Sequence, residues 1–568
     1  MKKYLSLLGL AMMTITSAAQ QKTVTVEQSG ELSSKVPASE KYTITDLKIV
    51  GDLNLSDIKF IREMCGTDEA ENETPGKLKK LDLSEANIRP STWEYEYDEY
   101  GNLIRIEKTG DYEFYRWESP SKYRSYWGNN SYYVPYLAPN GLSGDLFAGC
   151  KSLESVTIPN SLTSYSGYPF AGCPNLREIL VDNNPNFYSL SGVIYIGPAQ
   201  SGLYGGVYVM LEAPEGIEGE VMIAKECATS YIAAQFQNCP KITYYYVESG
   251  NEQFIAQDGI VYSKDKTKLV LCPQTRSGEF VIPNTVTEIG LHAFHGCEKL
   301  TSIVIPETVT TINFSAFAFC TGLKALKLPT SLRGSLGDTF YGCSSLESIT
   351  IPEKVTELSG TNFHDCTSLR SVNLGNVEKI GYEEFANCTS LETITLPQSV
   401  QEIESAAFCK SGIKEITLPK RLTYVADGLF FDCKSLRKVT IGENVTTVHW
   451  GAFDDCTDLS ALFVNATLPP VCDHDDSGEQ TTYDYIFENV NNATCHLYVP
   501  TGTLNDYKTA SGWQSFLNIS EFSPTGIKDI TLSTYAKEYY SVNGIKGKCK
   551  GLNIVKQSNG KTRKVIVE

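Results

Sequence analysis

Residues 293–320 read AFHGCEKLTSIVIPETVTTINFSAFAFC, a stretch that begins and ends on the phrase A-F-x-x-C. From Phe294 onward the phenylalanines of successive copies are 22 or 23 residues apart, and one copy, at Phe408, is degenerate. A period of this length, kept over many copies, predicts a solenoid of stacked turns. The F-x-x-C copies are Phe147/Cys150, Phe170/Cys173, Phe236/Cys239, Phe294/Cys297, Phe317/Cys320, Phe340/Cys343, Phe363/Cys366, Phe385/Cys388, Phe430/Cys433 and Phe453/Cys456.

Each period predicts the same local structure. In CTGLKALKLP, residues 320–329, Leu326 and Leu328 alternate with polar residues, which is typical of a short strand with one buried face. Pro329 lacks an N–H and ends the pairing. Stacked turns would align these strands in a parallel sheet on the concave side, and the V-T-x-I segment would form a second short strand. We expect the phenylalanine to lie in the interior and the ten F-x-x-C cysteines to be buried free thiols, because parallel Cβ vectors keep stacked cysteines too far apart to bond.

The repeat L-x-x-I-x-I-P-x-x-V-T-x-I-x-x-x-A-F-x-x-C resembles the BspA-like, or Treponema-type, leucine-rich repeat of exported bacterial surface proteins, here of Bacteroidetes. The resemblance covers residues 141–500. It implies a β-rich leucine-rich-repeat solenoid with a parallel concave sheet, an N-terminal α/β cap and a small C-terminal β tail. By the same resemblance, the chain would be a non-catalytic binding protein.

The N-terminus predicts export. Lys2 and Lys3 precede a short apolar run, and Ser17-Ala18-Ala19 is a small-residue cleavage site, so residues 1–19 are predicted to be a signal peptide. No later stretch is apolar enough to span a bilayer. We therefore expect an extracellular, cell-surface or outer-membrane-associated protein.

The remaining chain divides into four predicted segments. Residues 20–90 form the α/β cap, whose helix is expected to start at Ser56-Asp57, and residues 91–140 form an aromatic-rich β insertion. The solenoid occupies residues 141–522, with a closing cap and two hairpin insertions, near residues 184–197 and 251–273, that are expected to project from it. Residues 523–568 form the β tail.

Catalytic and cofactor sites are not apparent. No Ser/His/Asp, Cys/His or paired-carboxylate set emerges, and His292, His295 and His364 fall at variable repeat positions where solvated loop residues are expected. The net charge of −18 argues against a nucleic-acid partner. Asp473, Asp475, Ser477 and Asp484, with Gly478 at the tight turn, have the spacing of oxygen ligands in a calcium loop but unsuitable flanks, and an acidic loop is the favoured interpretation. Cys472 and Cys495 lie off the ladder, and their pairing is left open.

Two candidate ligand sites follow from the pattern. The first is the outward-facing row of the concave strands, Lys327, Thr350, Asn373, Thr395, Thr417 and Thr440, flanked by Arg370, Lys414 and Arg437. It would bind a protein or glycan ligand. The second is a platform of aromatic rings around Trp93, Trp117 and Trp127, although packing of these rings on the cap is the favoured interpretation.

The function predicted from the sequence is that of an adhesin or binding protein for host matrix protein, glycoprotein or other bacteria, without a cofactor or a metal. Two alternatives remain: a glycan-binding or surface-structural component, and an enzyme sited in the aromatic insertion.

Overall fold

The computed structural model describes residues 20–68, 72–90, 140–144, 146–197, 210–228, 232–472 and 486–523. Five further strands are described by their backbone, Thr92–Tyr97, Leu103–Lys108, Ala536–Ser541, Gly551–Gln557 and Thr562–Val567. The predicted signal peptide, Trp117, Trp127 and the acidic segment 473–485 lie outside the described residues.

Two series of parallel strands wind through the repeats, which confirms the predicted solenoid. The first series builds the concave sheet. Its strands are Gly278–Val281, Leu300–Val304, Ala325–Lys327, Ser348–Thr350, Ser371–Asn373, Glu415–Thr417, Lys438–Ile441, Ala461–Val464, His496–Pro500 and Asn518–Phe522. The second series consists of Glu288–Ile289, Thr311–Ile312, Gly334–Gly337, Val355–Ser359, Lys379–Ile380, Glu402–Ile403, Tyr424–Val425, Thr447–Val448 and Val471–Cys472.

Stacked phenylalanine rings fill the interior between the turns. Phe363 lies between Phe340 and Phe385, with ring centroids 5.5 Å away on either side, and its side chain is fully buried. The predicted interior position is thus confirmed. The stack ends on Phe487, 5.4 Å from Phe453, a member that the sequence pattern missed because the intervening turn is longer than the others.

Backbone hydrogen bonds join the corners of neighbouring turns. We call the residues between the second strand of a turn and its cysteine the corner segment. In this segment the phenylalanine N–H and the N–H two residues later each donate to a carbonyl of the next turn, as Phe363 does to Glu384 and Asp365 to Ala386, both at 3.0 Å. The second of these donors has a left-handed backbone, with φ of 61° at Asp365 and 59° at Asn387. Gly, Asn and Asp tolerate this conformation, so the position is usually one of them.

The cysteine ladder consists of free thiols. All 16 cysteines among the described residues are free, and every F-x-x-C cysteine is buried. The thiols also have a polar role that the sequence did not indicate, because most of them donate to the phenylalanine carbonyl of the preceding turn, as Cys366 does to Phe340 at 3.3 Å. In the degenerate copy the buried Ser411 takes the ladder position, 3.5 Å from Cys433. Cys472 and Cys495, whose pairing was open, are not bonded to each other.

The N-terminal cap has the expected strand–helix–strand order. A parallel sheet runs through Gln21–Val26, Asp46–Leu53, Lys80–Ile88, Ser155–Thr157 and Glu178–Leu180, and it joins the cap to the first repeats. The second strands here are Gly141–Ser143 and Ser164–Ser166. The helix is Leu55–Met64, and the expected start at Ser56 was one residue late, because Asn54 forms a capping box with Asp57. A single-turn helix, Leu32–Lys35, precedes it.

The two insertions do not project from the solenoid, contrary to the prediction. Each is a three-stranded antiparallel unit, made of Phe187–Leu190, Val193–Ile196 and Met210–Glu212 in the first case and of Phe254–Gln257, Ile260–Ser263 and Lys268–Leu271 in the second. The third strand of the second unit pairs in parallel with Glu288–Ile289. All four residues of Val193–Ile196 are buried. Both faces of this strand are apolar, which favours a buried position inside the array over a solvated hairpin. The strands Glu218–Ile223 and Lys241–Val247 and the short helix Ile232–Gln235 lie between the two units.

Two carboxylates replace a missing turn at the first insertion. Phe170 and Gly172 have no regular next turn to receive their N–H groups. Instead, Phe170 N donates to Glu212 Oε1 at 3.2 Å, and Gly172 N donates to Glu215 Oε1 at 2.8 Å. Tyr165 also donates its hydroxyl to Glu212. Burial raises the pKa of Glu212 to about 8, so its carboxyl is largely protonated at neutral pH.

The C-terminal end of the array is closed by a strand, the helix Leu504–Thr509, a 3₁₀ turn at Trp513–Ser515 and the strand Asn518–Phe522. The helix ends three residues before Gly512. Trp513 is fully buried and donates from Nε1 to the Pro470 carbonyl at 2.8 Å. Tyr507 donates to the Ala466 carbonyl at 2.7 Å. These two bonds attach the closing cap to the last turns.

Candidate functional site

The concave sheet brings the predicted row together in register. Val304 pairs with Lys327, Thr350 with Asn373, and Thr417 with Thr440. We name six residues of this row the concave strip. They are all solvent-accessible, and Thr440 is the least exposed: Lys327, Thr350, Asn373, Thr395, Thr417 and Thr440.

A second outward row runs beside the concave strip, two residues earlier in each strand. Its members from Ser302 to Thr393 are small, and their pairing is continuous from Ser302 to Ala325, Ser348 and Ser371. An isolated bridge between Thr393 and Glu415 carries the sheet across a gap in the assigned strands. Because both rows consist mostly of short side chains, this part of the sheet presents a shallow surface with hydroxyl and amide groups.

The flanking charges alternate along the sheet, and this lowers the positive charge that a ligand would meet. Lys414 Nζ lies 2.6 Å from Glu392 Oε2, and the exposed Arg437 lies 3.7 Å from Asp458. Lys414 and Arg370 both lower the pKa of Glu392, the former mainly through its hydrogen bond. The predicted flanking cations are therefore on this face, and two of them have acidic neighbours.

An aromatic cluster closes the strip at its C-terminal end. Phe463 continues the outward row after Thr440, yet only 3% of its surface is exposed. Tyr498 stacks on it with a centroid distance of 4.3 Å, and Phe522 contacts its edge at 5.6 Å. Phe463 thus occupies an outward position of its strand, but its partners on the next strands, which the repeat pattern does not reach, cover it.

The second candidate site is described only in part. Trp93 lies on the strand Thr92–Tyr97, which pairs antiparallel with Leu103–Lys108, in agreement with the β structure expected for this insertion. The side chain of Trp93 lies outside the described residues, as do Trp117 and Trp127. The aromatic platform therefore stays a prediction.

The histidines of the corner segments are not the solvated loop residues that we expected. His292 is 6% exposed, and burial lowers the pKa of both His292 and His295 to about 4. Their rings lie 5.4 Å apart, and His364 stacks on Tyr341 at 4.9 Å. Aromatic residues at variable positions of successive turns pack against each other here, a contact that no single repeat reveals.

The described part of the chain contains neither a metal-binding cluster nor a membrane-spanning helix. In those residues, no group of three or more His, Cys, Asp or Glu side chains is arranged to hold a metal ion. The longest described helix has 10 residues, and no helix in this part of the chain is long and apolar enough to cross a membrane.

The repeats match a known protein family. A profile described as "BspA type Leucine rich repeat region" matches six copies, over residues 140–191, 272–381 and 363–473. The matched residues of this chain are BspA-type leucine-rich repeats. The match spans the turns that carry the phenylalanine stack and the concave strip, so both are features of BspA-type repeats in this chain.

Solved structures similar to this chain are leucine-rich-repeat proteins. One from Eubacterium ventriosum is 20% identical, covering 56% of this chain and 80% of its own, with a TM-score of 0.36. The T. pallidum protein TpLRR is 27% identical, covering 35% and 86%, with a TM-score of 0.28. A leucine-rich cell surface protein from Faecalibacterium prausnitzii is 17% identical, covering 74% and 96%, with a TM-score of 0.31. No curated protein matches the sequence.

Proposed function

We propose that this chain is an exported, non-catalytic BspA-type protein that binds a protein partner through the concave strip, as an adhesin at a bacterial surface. The observation that supports this most is the register of the strip, which holds exposed hydroxyl, amide and ammonium groups in one line across successive turns. The stacked interior keeps that line fixed while the residues on it vary.

The composition of the strip suits weak, multivalent binding. Threonine and asparagine lose little side-chain entropy when a ligand orders them, and they offer both donors and acceptors. The alternating charges beside them, such as Lys414 with Glu392, fit a protein surface that itself carries both signs. A shallow surface gives modest affinity for each site, and many copies displayed together on a cell would add avidity.

The export step is supported by the sequence of residues 2–19, in which two lysines, an apolar run and a small-residue cleavage site follow each other. A bacterial surface is the setting that this segment and the repeat family suggest together. N-terminal sequencing of the protein recovered from its native envelope would test the step. Cleavage after Ala19 is the expected result, and an intact Met1 in the folded protein would contradict it.

The binding test uses the chain from residue 20 onward. We would screen it against immobilised matrix proteins, glycoproteins and a glycan array, and then measure the triple variant Arg370→Glu, Asn373→Glu, Thr395→Glu against each ligand found. The control is the double variant Arg333→Glu, Lys354→Glu, which changes the net charge equally at exposed residues away from the strip. Circular dichroism would verify that both variants keep the fold.

Loss of binding in the triple variant alone is the expected result. If the triple variant binds normally, the strip is not the site, and alanine variants of Trp93, Trp117 and Trp127 become the next test. A ligand found on the glycan array, with no protein hit, would replace the proposed partner class by the glycan alternative.

A further inference from the structure

The corner segments of the solenoid form a second surface, at the turns of Phe294, Phe317 and Phe340. There a cleft opens between ring side chains, which we name the aromatic cleft. It is lined by Gln237, His292, His295, Phe314, Ser315, Ala318, Phe319, Asp338 and Tyr341. None of these residues belongs to the concave strip, so the cleft is a separate candidate site.

A continuous series of ring contacts builds the wall of the cleft. His295 lies 5.3 Å from Phe319, which lies 5.2 Å from Tyr341, both in edge contacts. Phe314 approaches His292 at 6.4 Å and keeps 40% of its surface exposed. The cleft therefore offers aromatic faces and edges from three successive turns within one small space.

Neighbouring glycines make room for two of these rings. A Cβ at Gly342 would lie 2.7 Å from the Phe319 ring, and a Cβ at Gly337 would lie 3.0 Å from the Phe314 ring. Phe319 itself has a left-handed backbone with φ of 58°, at the position where Gly296 and Gly342 stand in the adjacent turns. A bulky side chain is disfavoured in this conformation, and strain of this kind is concentrated at functional sites.

The charge of the cleft favours a cation. Among the described residues that line it, Asp338 is the one carboxylate, and none is a lysine or arginine. Asp338 Oδ1 accepts from the Thr361 backbone N–H at 2.7 Å and from its hydroxyl at 2.9 Å, which holds the carboxylate in place. His292 and His295, whose pKa values burial lowers to about 4, are neutral at pH 7 and add no positive charge.

The size of the cleft restricts the cation. Its enclosed volume is about 20 Å³, which is room for one water-sized group, since a single water needs about 10–15 Å³ on this measure. A primary ammonium has that size, whereas a sugar ring or a trimethylammonium group does not. Aromatic faces attract an ammonium ion through the ring quadrupole, and a nearby carboxylate balances its charge.

We propose that the aromatic cleft binds the ε-ammonium group of a lysine side chain on a partner protein. Phe319 and Tyr341 contact the ammonium group through their rings, and Asp338 supplies the balancing charge. The methylene stem of the lysine packs against the exposed Phe314. This site does not depend on the concave strip, and a partner could occupy both or either.

The test measures a lysine probe on the full chain. Saturation-transfer difference NMR, which detects weak ligands of large proteins, would compare Ac-Gly-Lys-Gly-NH2 with the same peptide carrying Nε-acetyl-lysine and with Ac-Gly-Arg-Gly-NH2. The variants are Phe319→Gly and Asp338→Asn, with Trp450→Ser as control. Phe319→Gly restores the residue found in the adjacent turns, and Asn suits the left-handed backbone of Asp338, so both variants should fold. Trp450 is another exposed aromatic, 44% accessible, in a distant corner segment.

The expected result is saturation transfer that is strongest at the lysine Cε protons and at least several-fold weaker for the acetyl-lysine and arginine peptides. Phe319→Gly and Asp338→Asn should each weaken lysine binding about tenfold, and Trp450→Ser should leave it unchanged. Equal signals from lysine and acetyl-lysine peptides would overturn the proposal, and so would full binding by both cleft variants. A stronger signal from the arginine peptide would also overturn it, because the size argument would then be wrong.

Discussion

The corner N–H groups find their hydrogen-bond acceptors in different ways in the turns between Cys272 and Cys472 and in the turn at Phe170. In the regular turns, the two corner N–H groups of each turn donate to carbonyls of the next, as Phe385 does to Ala407 at 2.7 Å. At Phe170 the regular next turn is missing, and the side chains of Glu212 and Glu215 accept instead. A buried backbone donor must be satisfied, so an interruption of the array requires an acceptor from elsewhere.

Using glutamate side chains as acceptors has a free-energy cost that the regular turns mostly avoid. A backbone carbonyl is neutral, whereas a glutamate brings a carboxyl group into the core, where the charged form is disfavoured. Glu212 responds with a pKa raised to about 8. One regular turn shares this feature, because the fully buried Glu384 also has a pKa of about 8. Acid side chains in the interior thus make both regions sensitive to pH.

The largest effect is expected from removing a ring of the stack. Phe363→Ala should lower the free energy of unfolding by about 3–5 kcal/mol, since it deletes a fully buried aromatic. Phe363 has a ring on each side, at 5.5 Å, and each turn supports the next. Phe170→Ala, beside the interruption, should destabilise less. Urea unfolding followed by circular dichroism measures both, and a loss below about 1 kcal/mol for Phe363→Ala would mean that the stack does not support the array.

Removing the substitute acceptor should have the next largest effect. Glu212→Ala leaves the Phe170 N–H and the Tyr165 hydroxyl without their acceptor, which should cost about 2–3 kcal/mol. Glu212→Gln keeps a carbonyl oxygen of the same reach and serves as the matched control. Urea unfolding at pH 6 would measure the difference in stability between the Ala and Gln variants. Equal stability of the Ala and Gln variants would show that the hydrogen bonds at the interruption are dispensable.

The buried acids predict a fall of stability with rising pH. The folded protein raises the pKa of Glu384 and of Glu212 from 4.5 to about 8, so it holds these protons more tightly than the unfolded chain does. The contribution of these two groups to stability is therefore fully present below about pH 4.5 and is lost progressively as pH rises to about 8, with at most about 1.4 kcal/mol per pH unit for each group. Glu384→Gln should reduce this slope and raise stability at pH 8.5. An unchanged slope between pH 5 and 8.5 in that variant would contradict the assignment.

The smallest effect concerns the one irregular turn within the regular region. Cys409 is half-buried, while the ladder thiols Cys388 and Cys433 are buried, and burial raises the pKa of Cys433 to about 12. Iodoacetamide treatment of the native chain followed by peptide mass spectrometry should label Cys409 well before either neighbour. Cys409→Ser should leave stability nearly unchanged. Equal labelling rates at the three cysteines would mean that the ladder is open to solvent.

Much of the fold could be predicted because every turn uses the same residues for the same contacts. The period, the alternation around Leu326 and the prolines predict the strands, the buried phenylalanines and the outward row of the concave strip. The free thiols followed from the parallel geometry of stacked turns. The repeat pattern did not predict Ser411 as a ladder residue or Phe487 as a member of the ring stack. It relies on a fixed spacing, and the spacing changes by one residue or more at both places.

Relations between different turns needed the tertiary structure. The sequence by itself determined which residues of a turn are buried, since burial follows from a local alternation that one repeat already displays. Only the folded chain decided that the insertions join the array, that Glu212 and Glu215 replace a missing turn, and that His292, His295, Phe319 and Tyr341 meet in one cleft. These residues occupy variable positions of the repeat, so the repeat pattern does not show which of their side chains meet. Their contacts arise from stacking, which brings residues about 23 positions apart in sequence into adjacent turns.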